Sequence, residues 1–357
     1  MGSLNEWEQT TVLPAWQKHL KIDVLPSADT VGAVASQLQC DEIRKVMKVV
    51  YRTLKRNKAF NSGFHDNLFF LVIDGHESFS SYLRSCEDCL KREIATAHGT
   101  KIQYYHRYAM GMLISAGGIS IPLDIEMQKN AEDEVACAIR LVERLCRMYP
   151  RAFDVIIADG LYARAPFFKK VVSLNKAVIA VLKDERRELI KEARSRCEGM
   201  QPHFFKRNNG AEVAVWDIEN CREWTQLELP VRVVRTLETT TVHHQAGDVE
   251  KRTAEWLWVA TIPKKYLSTE PFVEVVHHRW DIENKGFNEL DTYWHLDHVY
   301  KHDTNAIVVF TLMTMLSYVL FHAFFYLNLK AQLRNGNTKK HFQLLINSSF
   351  YAQEEEH

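Results

Sequence analysis

The chain carries no excess of either charge: 45 Lys and Arg stand against 45 Asp and Glu. A formal net charge of zero excludes a globally basic surface, so contact with nucleic acid would have to come from local patches. Seven cysteines, an odd number spread over 357 residues, argue against a disulfide framework and for a reducing compartment. The opening residues, MGSLNEWEQTT, have neither a basic n-region nor an apolar h-region, which predicts no signal peptide. Internal repeats and low-complexity tracts are lacking too. What is plentiful is apolar: 46% of the residues, enough for a substantial core in one large domain with an insertion, or in two domains.

One run, Ala306 to Leu329, contains no Asp, Glu, Lys or Arg and is long enough to span a bilayer. Thr311, Thr314, Ser317, His322 and Asn328 dilute it, and basic residues flank both ends. The preferred reading is a helix buried in the core, with a membrane anchor as its rival.

Residues 1–62 read as helical, with "SADT" as a cap before Val31 and a basic run, "RKVMKVVYRTLKRNK", on a solvated or phosphate-contacting face. "NLFFLVIDGHESF" and "FDVIIADGLYA" read as buried strands, each ending in Asp-Gly. Between them lie a hairpin turning near Gly117-Gly118 and a helix, "AEDEVACAIRLVERLCRMY"; "APFFKKVVSL" and "AVIAVLK" add a helix and a strand. The order implies a mixed sheet covered by helices. After Gly199 the chain turns β-branched and aromatic, which predicts a β-rich insertion over residues 201–262. Thr269-Glu270-Pro271 then opens a helix carrying "HHRWDIEN", and the tail after Lys330 is polar and expected to fray.

Asp-Gly is ordinary turn chemistry. Two such pairs at strand ends, Asp74 and Asp159, with Glu283 on a helix, make a triad of carboxylates suited to a hard divalent cation. Arg279 stands one turn before Glu283 and shares its face. Cys86 and Cys89 have metal-ligand spacing, and His76, His98 or His106 would complete a zinc site; a buried thiol pair is the preferred reading.

"LVIDG", "VIIADGLYA" and "RWDIEN" followed by "GFNEL" and "WHLDHVY" resemble the catalytic regions of DDE transposases from bacterial insertion sequences. The resemblance covers roughly residues 20–330. It points to the group with a Tyr-Arg-Glu-Lys signature, whose RNase H-like domain is interrupted by a β-insertion before the glutamate. It implies an α/β fold with flanking helices, a helical N-terminal region (1–62), a catalytic core in two parts (63–200 and 263–330), the insertion (201–262) and a polar tail (331–357). Asp74, Asp159 and Glu283 would be catalytic and hold Mg²⁺ or Mn²⁺, two ions per site. Arg279, Lys285, His278, Trp256 and Trp258 would contact DNA, an aromatic of the insertion stacking on a flipped base. Val276 and Leu290, with Asp291 next, depart from the signature's tyrosine and lysine, and His277, His278 or Lys285 are the substitutes at hand. The implied function is metal-dependent cleavage and strand transfer at the ends of a mobile element, by a homodimer acting on terminal inverted repeats and target DNA. The implied location is the bacterial cytoplasm and nucleoid, with no membrane. The alternatives are an RNase H-like nuclease without strand transfer and a catalytically impaired DNA-binding relic.

Overall fold

The computed structural model describes residues 17, 21, 24, 26–60, 68–97, 99–115, 119–184, 187–243 and 249–351. Two helices come first, α1 (Ala28–Gln37) and α2 (Cys40–Arg56). Ser27 caps α1, its Oγ accepting from the Thr30 N–H. On α2, Ile43, Met47, Tyr51 and Leu54 recur at helical spacing and are buried.

The core sheet opens with β1 (Phe70–Ser81), β2 (Leu90–Thr96), β3 (Gly99–Ile114) and β4 (Ile121–Met127), all joined antiparallel through β3. The β3–β4 hairpin is the expected one, although its turn at Gly117-Gly118 lies outside the described residues. Helix α3 (Glu134–Met148), capped by Asp133, leads to β5 (Val155–Ala158), which runs parallel to β1. Helix α4 (Ala165–Ser173) then leads to β6 (Ala177–Val181), parallel to β5. The central strands are apolar on both faces, FLVI in β1 and VIIA in β5, because helices cover the sheet on both sides.

After α5 (Glu188–Glu198) come β7 (His203–Lys206), β8 (Glu212–Cys221), β9 (Val231–His243) and β10 (Val249–Ala260). They do not form a separate layer. Strand β10 pairs antiparallel with β6, so one ten-stranded sheet runs β2-β3-β1-β5-β6-β10-β9-β8-β7, with β4 also on β3. The architecture is an RNase H-like mixed sheet with flanking helices, N-terminal helices and a β-rich insertion.

The chain returns through α6 (Thr269–Val276), a 3₁₀ turn (His277–Arg279), a π-helical turn (Ile282–Phe287) and α7 (Asn288–Trp294). The charge-free run forms α8 (Thr304–Ala323), continued by a π-helical turn to Asn328. This helix meets the length and hydropathy of a membrane span. Here it is a covering layer of the domain: it packs on α1, α2 and β4, with Ala306, Leu312, Met315 and Tyr318 buried. Met313 and Leu320 remain half exposed, so the burial is not on all sides.

A buried ion cluster ties the layers together. Asp124 on β4 is fully buried and accepts from Arg44 of α2 at 2.9 Å and from Arg144 of α3 at 2.6 Å. Removing one partner from such a cluster costs far more than the cluster stabilises, so it fixes how the helices dock. The polar tail is largely helical where it is described, and its acidic end, 352–357, lies outside the described residues. Residues Ala331–Arg334 and Lys339–Tyr351 are helical, and Gln343 donates to the Tyr293 carbonyl while Phe342 meets Phe325 edge-on.

Candidate active site

The parallel pairing of β1 with β5 ends at Ile73 and Ala158. Asp74 and Asp159 are the residues that immediately follow the last pair of the two strands. Asp159 ends its strand as expected. Asp74 does not: β1 continues to Ser81 because β3 still pairs with it, Asp74 opposite Met110. What ends at Asp74 is the parallel pairing with β5.

The helical connection brings Glu283 to the same place. Arg279 is 6% exposed, and its Nη1 lies 3.2 Å from Glu283 Oε1 and 3.8 Å from Asp74 Oδ2. One guanidinium nitrogen therefore joins two of the three predicted carboxylates. The Arg279–Glu283 contact is the i,i+4 pairing read from the sequence, even though Glu283 sits in a π-helical turn. Such turns recur at functional sites because the extra residue redirects side chains. Lys183, just beyond β6, reaches Asp159 Oδ1 at 3.2 Å.

A fourth carboxylate lies behind these. Glu134, in the first turn of α3, is buried, accepts from Tyr162 Oη at 2.7 Å and pairs with Arg107 at 2.8 Å. A side chain at Gly75 would collide with the Glu134 carboxylate, a Cβ there falling 2.3 Å from its carbon. The glycine after Asp74 is thus required by close approach. In the sequence Glu134 stands only as part of an acidic first turn, and Lys183 only as the end of a strand. A charge that follows an apolar strand next to β5 is the signal that would find Lys183.

The electrostatics push the paired aspartates apart. Burial raises Asp74 to about 6 against the Gly75 N–H and Arg279, with Glu134 and Glu283 adding repulsion. Burial acts the same way on Asp159, but the Gly160 N–H, Lys183 and Arg279 outweigh it and hold Asp159 below the usual carboxylate range. Stability should follow. A raised pKa means that the folded chain binds the proton more tightly than the unfolded chain. The stabilisation is therefore full below the unfolded value and lost as pH climbs through about 6. Above that, ionised Asp74 costs the metal-free protein about 3 kcal/mol at 1.36 kcal/mol per pH unit. We expect Asp74→Asn to be more stable than the parent by about 2–3 kcal/mol at pH 8 in EDTA, the gap closing towards pH 4. Urea unfolding at the two pH values checks this; equal stability at pH 8 would remove the buried-charge penalty.

The remaining predicted residues are distributed unevenly. His278 Nδ1 lies 2.8 Å from Asp281, and His277 Nε2 lies 2.8 Å from Glu238 of β9. The Lys285 side chain lies outside the described residues. Trp256 and Trp258 stack on each other at 6.0 Å; Trp258 is wholly buried, and Trp256 is partly accessible beside Trp280. Val276 and Leu290, at the departures from the signature, are both fully buried. Those two positions face the core and not the cleft.

Cys86 and Cys89 do not sit with the carboxylates. They converge with His106 and His302, the four donor atoms all lying within 4.8 Å of one another, a set able to hold a metal ion. His106 is one of the expected partners. His76 is not; it stacks on Phe287 at 4.4 Å near Asp291, and His98 lies outside the described residues. His302, some two hundred residues away in sequence, was beyond any spacing argument.

The sheet is RNase H-like, and Arg279 of the segment after the insertion joins Asp74 to Glu283 at the end of its parallel pairing. The chain belongs to the family described as transposase DDE domain, which matches residues 84–320. The match spans Asp159, Arg279 and Glu283 and begins shortly after Asp74. None of the curated proteins compared with the chain matches it. Among solved structures, a cryo-EM structure of the piggyBac transposase synaptic complex with hairpin DNA is similar over 79% of this chain, with 10% identity and a TM-score of 0.40. The similarity covers 52% of that chain, so the present chain spans about half its length.

Proposed function

We propose that the chain is a DNA transposase that cleaves phosphodiesters at the ends of a mobile element and transfers the freed strand, with Asp74, Asp159 and Glu283 as its metal-holding carboxylates. The observation that carries this reading is the meeting of Asp74 and Glu283 on the Arg279 guanidinium, beside Asp159, in a chain of this family. The donors are all carboxylate oxygens, the chemistry that selects Mg²⁺ or Mn²⁺ over softer metals. When bound, two such ions supply activation of the attacking oxygen and charge stabilisation at the leaving oxygen.

The side chains divide the remaining work. Arg279 keeps Glu283 turned towards Asp74 and limits the repulsion among the carboxylates. Lys183, more than half exposed, is placed to exchange Asp159 for a DNA phosphate once the carboxylate engages a cation. Trp256 is the aromatic of the insertion with a face left for a base. Residues 63–200 and 263–330 form the catalytic core in this reading, 201–262 the insertion, 1–62 a DNA-contacting region and 331–357 the tail. The partners are double-stranded element ends and target DNA, met by a homodimer in the bacterial cytoplasm.

The buried Leu290 favours one second reading, a nuclease of the same fold without strand transfer, because no lysine holds a terminal phosphate at that position. One experiment separates them. The chain is incubated with DNA bearing the element's own ends, in Mg²⁺ or in EDTA, and the products are resolved on denaturing gels. Joined or hairpin products only in Mg²⁺ are expected. Free nicked ends alone would select the nuclease, and no metal-dependent cleavage would overturn both.

A further inference from the structure

We propose that Cys86, Cys89, His106 and His302 form a structural Zn²⁺ site, separate from the carboxylate cleft. The donor set is Cys₂His₂, with the Cys-x-x-Cys spacing that suits tetrahedral zinc. With Zn–S about 2.3 Å and Zn–N about 2.0–2.1 Å, a tetrahedral ion sets its donors about 3.3–3.8 Å apart. The distances here are close to those edges. Cys86 Sγ lies 3.5 Å from Cys89 Sγ and 3.1 Å from His106 Nε2, and Cys89 Sγ lies 3.4 Å from His106 Nε2 and 3.3 Å from His302 Nε2. The sulfurs are too far apart for a disulfide, whose bond is about 2.05 Å. Both imidazoles turn the same nitrogen to the same point.

The surroundings support a closed site. The Cys86 N–H donates to Cys89 Sγ at 3.2 Å, which stabilises a thiolate. Cys89 and His106 are buried, and Phe79 packs against both imidazole rings. With four protein donors no position is left for substrate, so the ion is structural and not catalytic. Binding releases the two thiol protons to solvent and involves no redox step.

The site joins distant parts of the chain: the β1–β2 connection, β3, and the segment between α7 and α8. Thr304 Oγ1 donates to Asp88 Oδ2 at 2.8 Å on its rim. Next to it, the Asn305 amide donates to the carbonyls of Ala35, Ser36 and Leu38, fastening the N-terminal helices to α8. Zinc would therefore anchor the far end of the polypeptide that presents Glu283.

The full chain, produced without a histidine tag in zinc-supplemented medium and purified under reducing conditions without chelator, is assayed by elemental analysis. One zinc per chain is expected, falling below a tenth in Cys89→Ala and in His302→Ala, and unchanged in Asp159→Asn. Replacement of zinc by Co²⁺ should give thiolate charge-transfer bands and the intense visible bands of a tetrahedral ion. That spectrum is read on the parent chain, so the test stands even where Cys89→Ala fails to fold. A zinc-free parent lacking the Co²⁺ spectrum, or a Cys86–Cys89 disulfide in its place, would overturn the proposal. So would a full zinc complement in Cys89→Ala.

Discussion

Glu283→Ala, Asp159→Ala and Asp74→Ala should each lower the rate of Mg²⁺-dependent strand cleavage by at least about a thousandfold, roughly 4 kcal/mol of barrier. A two-metal site depends on carboxylates fixed at one phosphodiester, and each substitution deletes a donor that no neighbour replaces. Glu134 is a further carboxylate acting on Asp74, but Tyr162 and Arg107 already hold it. DNA affinity should hardly fall, because it comes from Lys and Arg contacts to phosphate, and the substitutions remove negative charge from the cleft. The three variants should differ in one respect. Asp74→Ala also removes the buried charge with the raised pKa and should fold more stably than the parent above pH 6. Gel shift and cleavage on the same DNA are the measurements. A Glu283→Ala chain that cuts as fast as the parent would reduce the Arg279–Glu283 pair to a surface contact.

Much of this arrangement could be read from the residues. Asp159 and Asp74 each follow four apolar residues and precede glycine, and the parallel pairing of the two strands ends just before both. The Arg279–Glu283 pair follows from helical spacing. The parts that were not legible depend on long-range contact. The length of β1 past Asp74 is set by β3, a partner that the strand's own sequence does not specify. The π-helical turn inserts a residue after Glu283, so helical counting to Leu290 lands on a buried position. His302 joins the thiols through a contact between segments some two hundred residues apart, which no local spacing specifies. The two tryptophans of "AEWLWVA" show the same limit. Alternation puts both on one face, which the sequence reading captures, but it does not say which of them a neighbouring strand covers.

That cover differs between them, and it predicts opposite consequences for the two substitutions. Trp258 lies opposite Val181 of β6 on one side and Val234 of β9 on the other, with His277 edge-on at 5.8 Å. Trp256 lies beyond the end of the β6 pairing, opposite Thr236 alone, and keeps part of its surface open. Trp258→Ala should therefore destabilise the chain by about 3–5 kcal/mol, the usual cost of emptying an aromatic from a packed core. His277 lies edge-on to both tryptophan rings, so a loosening of the connection bearing Arg279 and Glu283 is expected of either substitution and does not separate them. Trp256→Ala should cost less stability and instead weaken binding to a DNA end by about 1–3 kcal/mol, the worth of one base–aromatic stack. Denaturant unfolding and binding titrations on both variants check the pair, with Trp258→Phe as the control that keeps an aromatic in the core. If Trp256→Ala binds the element's ends as tightly as the parent, the insertion serves to buttress the glutamate segment through Trp258 and His277, and base stacking must be sought on another residue.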